Sequence, residues 1–310
     1  MESTANLTAL MQTRTYPEKH LQLFEERRSF LLGLSYRILG SFSDAEDVVQ
    51  DVFIKWSQAA IDQLDNPQAW LTTVCTRQSI DLLRAAHKSR TEYIGTWLPE
   101  PFYESADGAH LISDDLSAEQ ESDETLSTAF MLLLERLSPK ERAAYLLYEI
   151  FDQPYAEIAR ILEISTVYCR QLIARARQHV ADEKSQITTL PSHRQQALLA
   201  AFQHAVQTGN LEQLSQLLTE DIQLQADGGG KVSAVAMLAG KEAVLRFFER
   251  LLFSNWSQLS WHGDTIHHGA GFICTDQQDQ VNMALTFAFS ASGQIRNLYV
   301  VRNPDKLKMS

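Results

Sequence analysis

A chain of 310 residues with 45% hydrophobic and 21% charged side chains has room for two or three globular domains, each with its own core. Its formal charge is −12, but residues 104–124 hold eight acidic and no basic side chains, so the total does not exclude a basic face elsewhere or a polyanion partner. No apolar run approaches the roughly 18 residues of a membrane span, and an early segment bearing Glu2, Glu18, Glu25 and Glu26 does not suit a signal peptide, so a cytoplasmic protein without membrane contact is expected.

The first unit reads as helical. Ser43 and Glu46 have the spacing of a capping box, and Val48, Val49, Val52, Phe53 and Trp56 follow at helical intervals as one buried face. Asp47, Gln50, Asp51 and Lys55 fall on the opposite, polar face. Asn66 and Pro67 then open another helix as N-cap and first residue. Its apolar side carries Trp70, Leu71, Val74, Cys75 and Leu82, and its other side carries Thr73, Arg77, Arg84 and Lys88 as a partly basic stripe. The acidic stretch 104–124 reads as a solvated linker.

A second helical unit follows. Ser138, Pro139 and Glu141 combine an N-cap, a first-turn proline and a capping box. Ile158, Ile161 and Leu162 then close a short helix, Ile164 sits in a turn, and Ser165 caps the next helix, which is a helix-turn-helix pattern. Where such turns often place glycine, four residues after Ala159, the chain has Glu163, so a non-glycine residue has to accept a strained or left-handed conformation. The second helix turns Cys169, Ile173, Ala176 and Val180 inward and leaves Thr166, Arg170, Gln171, Ala174, Arg175 and Arg177 outward or flanking. Long fork-shaped donors beside short polar residues suit a major groove.

Beyond Pro191 the pattern changes. Two helical stretches precede Gly228-Gly229-Gly230, another helix follows Gly240, and strand-like runs then dominate, which predicts an α+β domain with a curved antiparallel sheet. The triple glycine reads as a tight turn or a docking surface. Trp256, Trp261, His262, Asp264, His267 and His268 are candidates to line a cavity. Cys75, Cys169 and Cys274 match no metal pattern; buried thiols, no metal and no cofactor are expected.

These segments resemble a known family. YRILGSFSDAEDVVQDVFIKW resembles the part of bacterial sigma factors that docks on the clamp helices of RNA polymerase. NPQAWLTTVCTRQSIDLLR is similar to the −10-reading helix of the extracytoplasmic-function class, and residues 137–180 are similar to its −35-reading domain. Thr96-Trp97-Leu98-Pro99-Glu100-Pro101, Asp227-Gly228-Gly229-Gly230-Lys231 and Asn303-Pro304-Asp305-Lys306-Leu307 resemble three short motifs of a subgroup with a C-terminal SnoaL-like (NTF2-like) extension. The resemblance implies two all-α sigma domains, the second with a helix-turn-helix, followed by an α+β SnoaL-like domain. The expected boundaries are 18–92 for region 2, 93–124 for a linker, 125–187 for region 4 and 192–310 for the extension.

It also implies roles. Asp47, Gln50 and Asp51 would meet core polymerase; Asp62 and Asn66 lie in the loop that would accept a flipped −10 base, and Arg77, Arg84 and Lys88 would hold the separated strand. Arg170, Gln171 and Arg175 would read the −35 element, with Thr166 and Arg177 on phosphates. Trp97, Leu98, Pro99, Asp227, Gly228, Gly229, Gly230, Lys231, Asn303, Pro304 and Asp305 would dock the extension as an in-cis regulator, with Trp97 and Leu98 as an exposed apolar knob. The alternatives are a one-component DNA-binding regulator, and a SnoaL-like enzyme with Asp264 or His262 as acid/base.

Overall fold

The computed structural model describes residues 18–90, 95–103, 127–184, 188, 190–252 and 256–307. The acidic stretch 104–124 and the side chain of Lys88 lie outside the described residues.

Three helices form the first unit: α1 (Glu18–Leu39), α2 (Phe42–Ser57) and α3 (Pro67–Arg90). Val48, Val49, Val52, Phe53 and Trp56 are buried as their spacing predicts, and Asn66 accepts from the Ala69 N–H at 2.9 Å as the N-cap of α3. The cap of α2 differs from expectation. Ser41, not Ser43, accepts from the Asp44 N–H, at 3.2 Å. Gly40, at φ +71°, ends α1 so tightly that α2 starts two residues early.

The second unit comprises α4 (Thr128–Leu134), α5 (Pro139–Glu149), α6 (Tyr155–Leu162) and α7 (Thr166–Lys184). Both halves of the Ser138–Glu141 capping box are present, and Ser165 accepts from the Tyr168 N–H at 3.2 Å. Glu163 takes the left-handed conformation at φ 53°, ψ 54°. Cys169, Ile173, Ala176 and Val180 are buried, and so is Leu172, which flanks them.

The two helical units share one continuous apolar core. Phe30 of α1 meets Phe151 edge-on at 4.8 Å between ring centroids. At the centre of this contact Arg142 is fully buried; its Nε donates to the Arg37 carbonyl at 3.0 Å and its guanidinium pairs with Glu135.

The C-terminal domain contains α8 (Ser192–Thr208), α9 (Leu211–Leu217), β1 (Leu218–Asp227), β2 (Met237–Ala239), α10 (Lys241–Leu252), β3 (Ser260–Ile266), β4 (Gly269–Thr275), β5 (Val281–Phe289) and β6 (Ile295–Val301). The sheet order is β2-β1-β6-β5-β4-β3. The sheet is mixed rather than antiparallel, because β1 precedes α10 and then pairs parallel with β6. Helices α8, α9 and α10 cover one face, where Phe202, Phe248, Trp256, Trp261 and Phe272 pack together.

The other sheet face meets the helical units. Ile273, Ala284, Ala288, Tyr299 and Val301 bury Leu98, Tyr103 and Ala129 in a small separate cluster. The predicted cavity lining is therefore corrected. Trp256 and Trp261 are core, whereas strand alternation places His262 and Asp264 on the opposite face from Trp261. His267 is 2% exposed and sits where the domains meet.

Candidate docking and nucleic-acid surfaces

The three short motifs, far apart in sequence, converge. Asp227, fully buried at the end of β1, accepts from the Leu98 N–H at 2.9 Å, from the Gly229 N–H at 3.0 Å and from Lys306 Nζ at 2.8 Å. Lys306 also donates to the Leu98 carbonyl, and its ammonium lies 4.3 Å from the centre of the Trp97 ring. Gly229 and Gly230 have φ of +64° and +69°. A Cβ at Gly229 would stand 2.5 Å from Asn303 Cγ, so only glycine permits the two loops to touch. Asn303 in turn accepts from the Asp305 N–H at 3.1 Å, and Lys231 pairs with Asp305 at 2.6 Å on the rim. Pro304 is exposed.

The expected apolar knob is seated on the C-terminal domain rather than exposed. Leu98 is fully buried against the sheet, Pro99 is buried, and Trp97 is partly covered and packs over Gly40, where a Cβ would lie 2.6 Å from its ring. Glu100 continues this strap into the first helical unit. Its carboxylate accepts from the Phe42 N–H at 2.9 Å and from Ser41 Oγ at 3.0 Å, at the N-terminus of α2, where the positive end of the helix dipole stabilises a negative charge. Burial pushes the Glu100 carboxyl up, while hydrogen bonds from Ser41, Ser43 and Phe42 and the charge of Lys306 pull it back.

A second junction forms around His267. Its Nε2 lies 3.0 Å from the Glu100 carbonyl and 2.6 Å from Tyr36 Oη, and its Nδ1 lies 2.7 Å from Thr128 Oγ1. Thr128 is 2.8 Å from Thr286 Oγ1. One assignment satisfies the chain: Thr286 donates to Thr128, Thr128 to Nδ1, Nε2–H to Tyr36 Oη, and the Tyr36 hydroxyl to the Glu100 carbonyl at 2.9 Å. That assignment requires a neutral ring, and burial lowers the His267 pKa to about 4. The network thus joins α1, the strap, α4 and β5.

The expected nucleic-acid residues occupy two places. Arg170, Gln171, Arg175 and Arg177 are exposed on α7, and Thr166 is half-buried. Arg170 stands over the Tyr155 ring at 5.4 Å, Arg175 over Tyr168 at 5.8 Å, and Arg177 pairs with Glu149 at 2.5 Å. On α3, Arg84 is exposed and pairs with Asp81 at 3.0 Å. Arg77 reaches the other helical unit while its side chain stays 43% exposed. Its Nε donates to the Ile161 carbonyl at 2.8 Å, its Nη2 to the Arg160 carbonyl at 3.2 Å, and its Nη1 pairs with Glu163 at 2.8 Å. Lys140 binds the Leu162 carbonyl at 3.2 Å, so cations from outside α6 satisfy its last carbonyls. Asp62 and Asn66 are exposed near the 3₁₀ turn Ile61–Gln63, and the Asn66 side chain is already used as the α3 cap. On α2, Asp47 and Asp51 are exposed, Gln50 is half-buried, and Ile54 adds an exposed apolar residue (47%) on the same face.

Comparison with known proteins decides the family. Residues 23–89 match the model of Sigma-70 region 2, and residues 127–180 match that of Sigma-70, region 4. The chain is 33% identical over 291 residues to the ECF RNA polymerase sigma factor SigJ of Mycobacterium tuberculosis, covering 91% of each chain. The chain belongs to the extracytoplasmic-function RNA polymerase sigma factors.

As an alternative sigma factor it binds core RNA polymerase and directs initiation at specific promoters. The crystal structure of M. tuberculosis SigJ superposes with a TM-score of 0.71 at 28% identity, over 93% of this chain and all of that one. The same organism's probable ECF sigma factor SigI is 30% identical over 203 residues, spanning 64% of this chain and 67% of its own. The helical units are thus sigma regions 2 and 4, and the mixed sheet with its three helices is a C-terminal α+β extension.

Four contact residues escaped the sequence reading. Glu100 and Lys306 lie inside quoted motifs, but their roles emerge only when the motifs meet. Arg142 gave no signal, since a charged side chain in a helix reads as exposed, and His267 was read as a cavity candidate, whereas it bonds across the domain junction.

Proposed function

We propose that the SnoaL-like domain regulates this cytoplasmic sigma factor in cis, by stapling regions 2 and 4 in a docked form that must open to engage a promoter. The convergence of all three motifs on the buried Asp227–Lys306 pair carries this reading. The state of Arg77 supports it, because a cation suited to the −10 strand is here held by backbone carbonyls of region 4. In the open form Arg77 and Arg84 hold phosphates, Asp62 and Asn66 border the −10 base pocket, and Lys88 extends the stripe. Arg170, Gln171 and Arg175 read −35 bases, with Thr166 and Arg177 on phosphates. Asp47, Gln50 and Asp51 face the polymerase. The extension acts as a regulator rather than a catalyst; the aromatic packing between its helices and sheet supports that role.

Run-off transcription with core polymerase tests the proposal. Full-length protein, a Gly229→Ala variant and a chain ending before Asn303 are compared on one promoter at equal concentration. The variants should change output without changing the preferred promoter sequence. Identical output from all three would remove the regulatory role.

A further inference from the structure

The seam between the SnoaL-like sheet and the sigma module is apolar at Ile273, Ala284, Ala288 and Val301, interrupted on β5 by Thr286, whose hydroxyl is bonded to Thr128. It changes character at β1 and the start of β6. Strand register places Gln223 beside Asn297 and Gln225 beside Tyr299, a two-by-two platform of amides and a phenol. Helix α4 of region 4 passes over it with Leu132 and Leu133, and a cleft of about 400 Å³ remains between them. That volume lies in the range of small-molecule sites.

None of the four platform side chains has a hydrogen-bond partner among the described residues. The β1–β6 ladder already engages the backbone there, so the amides are not needed to complete the sheet. Apolar residues at the same positions would close the seam, as they do at Ile273, Ala284 and Ala288. The rim indicates what the polar groups suit. Arg136 and Arg296 border the cleft, while its one carboxylate, Glu135, is engaged by Arg142. Arg296 shares its charge with Asp221 at 2.7 Å. Two guanidiniums, three amides and a phenol above a leucine pair match a small carboxylate that carries hydrogen-bonding groups.

We propose that this cleft binds a small organic carboxylate clamped between region 4 and the SnoaL-like domain. One wall belongs to each domain, so the site is complete only in the docked form, and occupancy favours docking by mass action. The clamp rests on the docked arrangement described above; the site itself rests on the cleft.

Titration calorimetry of the full-length protein tests both parts, with citrate, salicylate and benzoate as probes. At least one should bind with 1:1 stoichiometry and slow proteolysis of the linker. Asn297→Leu and Gln225→Leu, each checked for folding by circular dichroism, should weaken that binding at least tenfold. Asp227→Ala, which loosens docking, should weaken it as well. If no probe binds, or if both leucine variants bind as the parent does, the site is overturned and docking is untouched. Binding that the leucine variants abolish and Asp227→Ala leaves unchanged overturns the clamp.

Discussion

Two contacts hold this molecule together, and they are built differently. Regions 2 and 4 merge into one apolar core, with Phe30 against Phe151 and Arg142 sealed between them. The C-terminal domain keeps its own core and meets the sigma module through a small apolar seam, the Asp227–Lys306 knot and the His267 network. Apolar burial is non-directional and tolerates small shifts. A polar knot works only when each donor meets its acceptor, so loss of one partner destabilises it disproportionately. The second contact therefore has the character of a latch, and it is assembled from the three motifs.

The largest effect should fall on the first contact. Arg142→Ala leaves the partly buried Glu135 carboxylate and the Arg37 carbonyl without their shared donor, and should cost about 3 kcal/mol of sigma-module stability in chemical denaturation. If it proves neutral, the buried pair does not organise that core.

Asp227→Ala should come next; it acts on the latch and on the Gly229 turn beside it, and through the latch on the pairing of regions 2 and 4. It removes the acceptor for two backbone N–H groups and for Lys306, at a cost of about 2 kcal/mol in docking. The C-terminal domain should keep its near-ultraviolet signal while the linker becomes open to protease. Unchanged protection would place the latch elsewhere.

The smallest effect is a pH dependence of docking. His267 ordinarily titrates near 6.5, and in the docked form it is held neutral with a pKa of about 4. Its contribution is fully present above pH 6.5 and is lost as pH falls toward 4, by at most about 1.4 kcal/mol per unit. Glu100, whose carboxyl is raised by burial, works in the opposite sense and softens the low end. His267→Gln should flatten the profile between pH 6 and 5, read by the same protease assay. A profile of the same slope in that variant would show that other groups carry it.

The comparison also explains what was legible in the sequence. Short-range rules found the α3 and α5 caps, the helix-turn-helix and the left-handed Glu163, because each depends on neighbours within a few residues. The Ser43 box failed because Gly40 moved the start of α2. The parallel β1–β6 pair and the burial of Leu98 were hidden, since both join segments more than 70 residues apart. The motifs revealed where a surface had to be, but not that Glu100 reaches back to cap α2 or that Arg77 is held by region 4.

The most direct test of the latch is energy transfer between dyes at Gln58→Cys in region 2 and Gln178→Cys in region 4, both at exposed positions. The native thiols are buried, and burial pushes Cys75 up to about 12, so they stay unlabelled. Free full-length protein should give high transfer, and Asp227→Ala a lower value. Adding core polymerase should bring both to one common low value. Equal transfer by the two free proteins, or no change in the parent on adding polymerase, would contradict the latch.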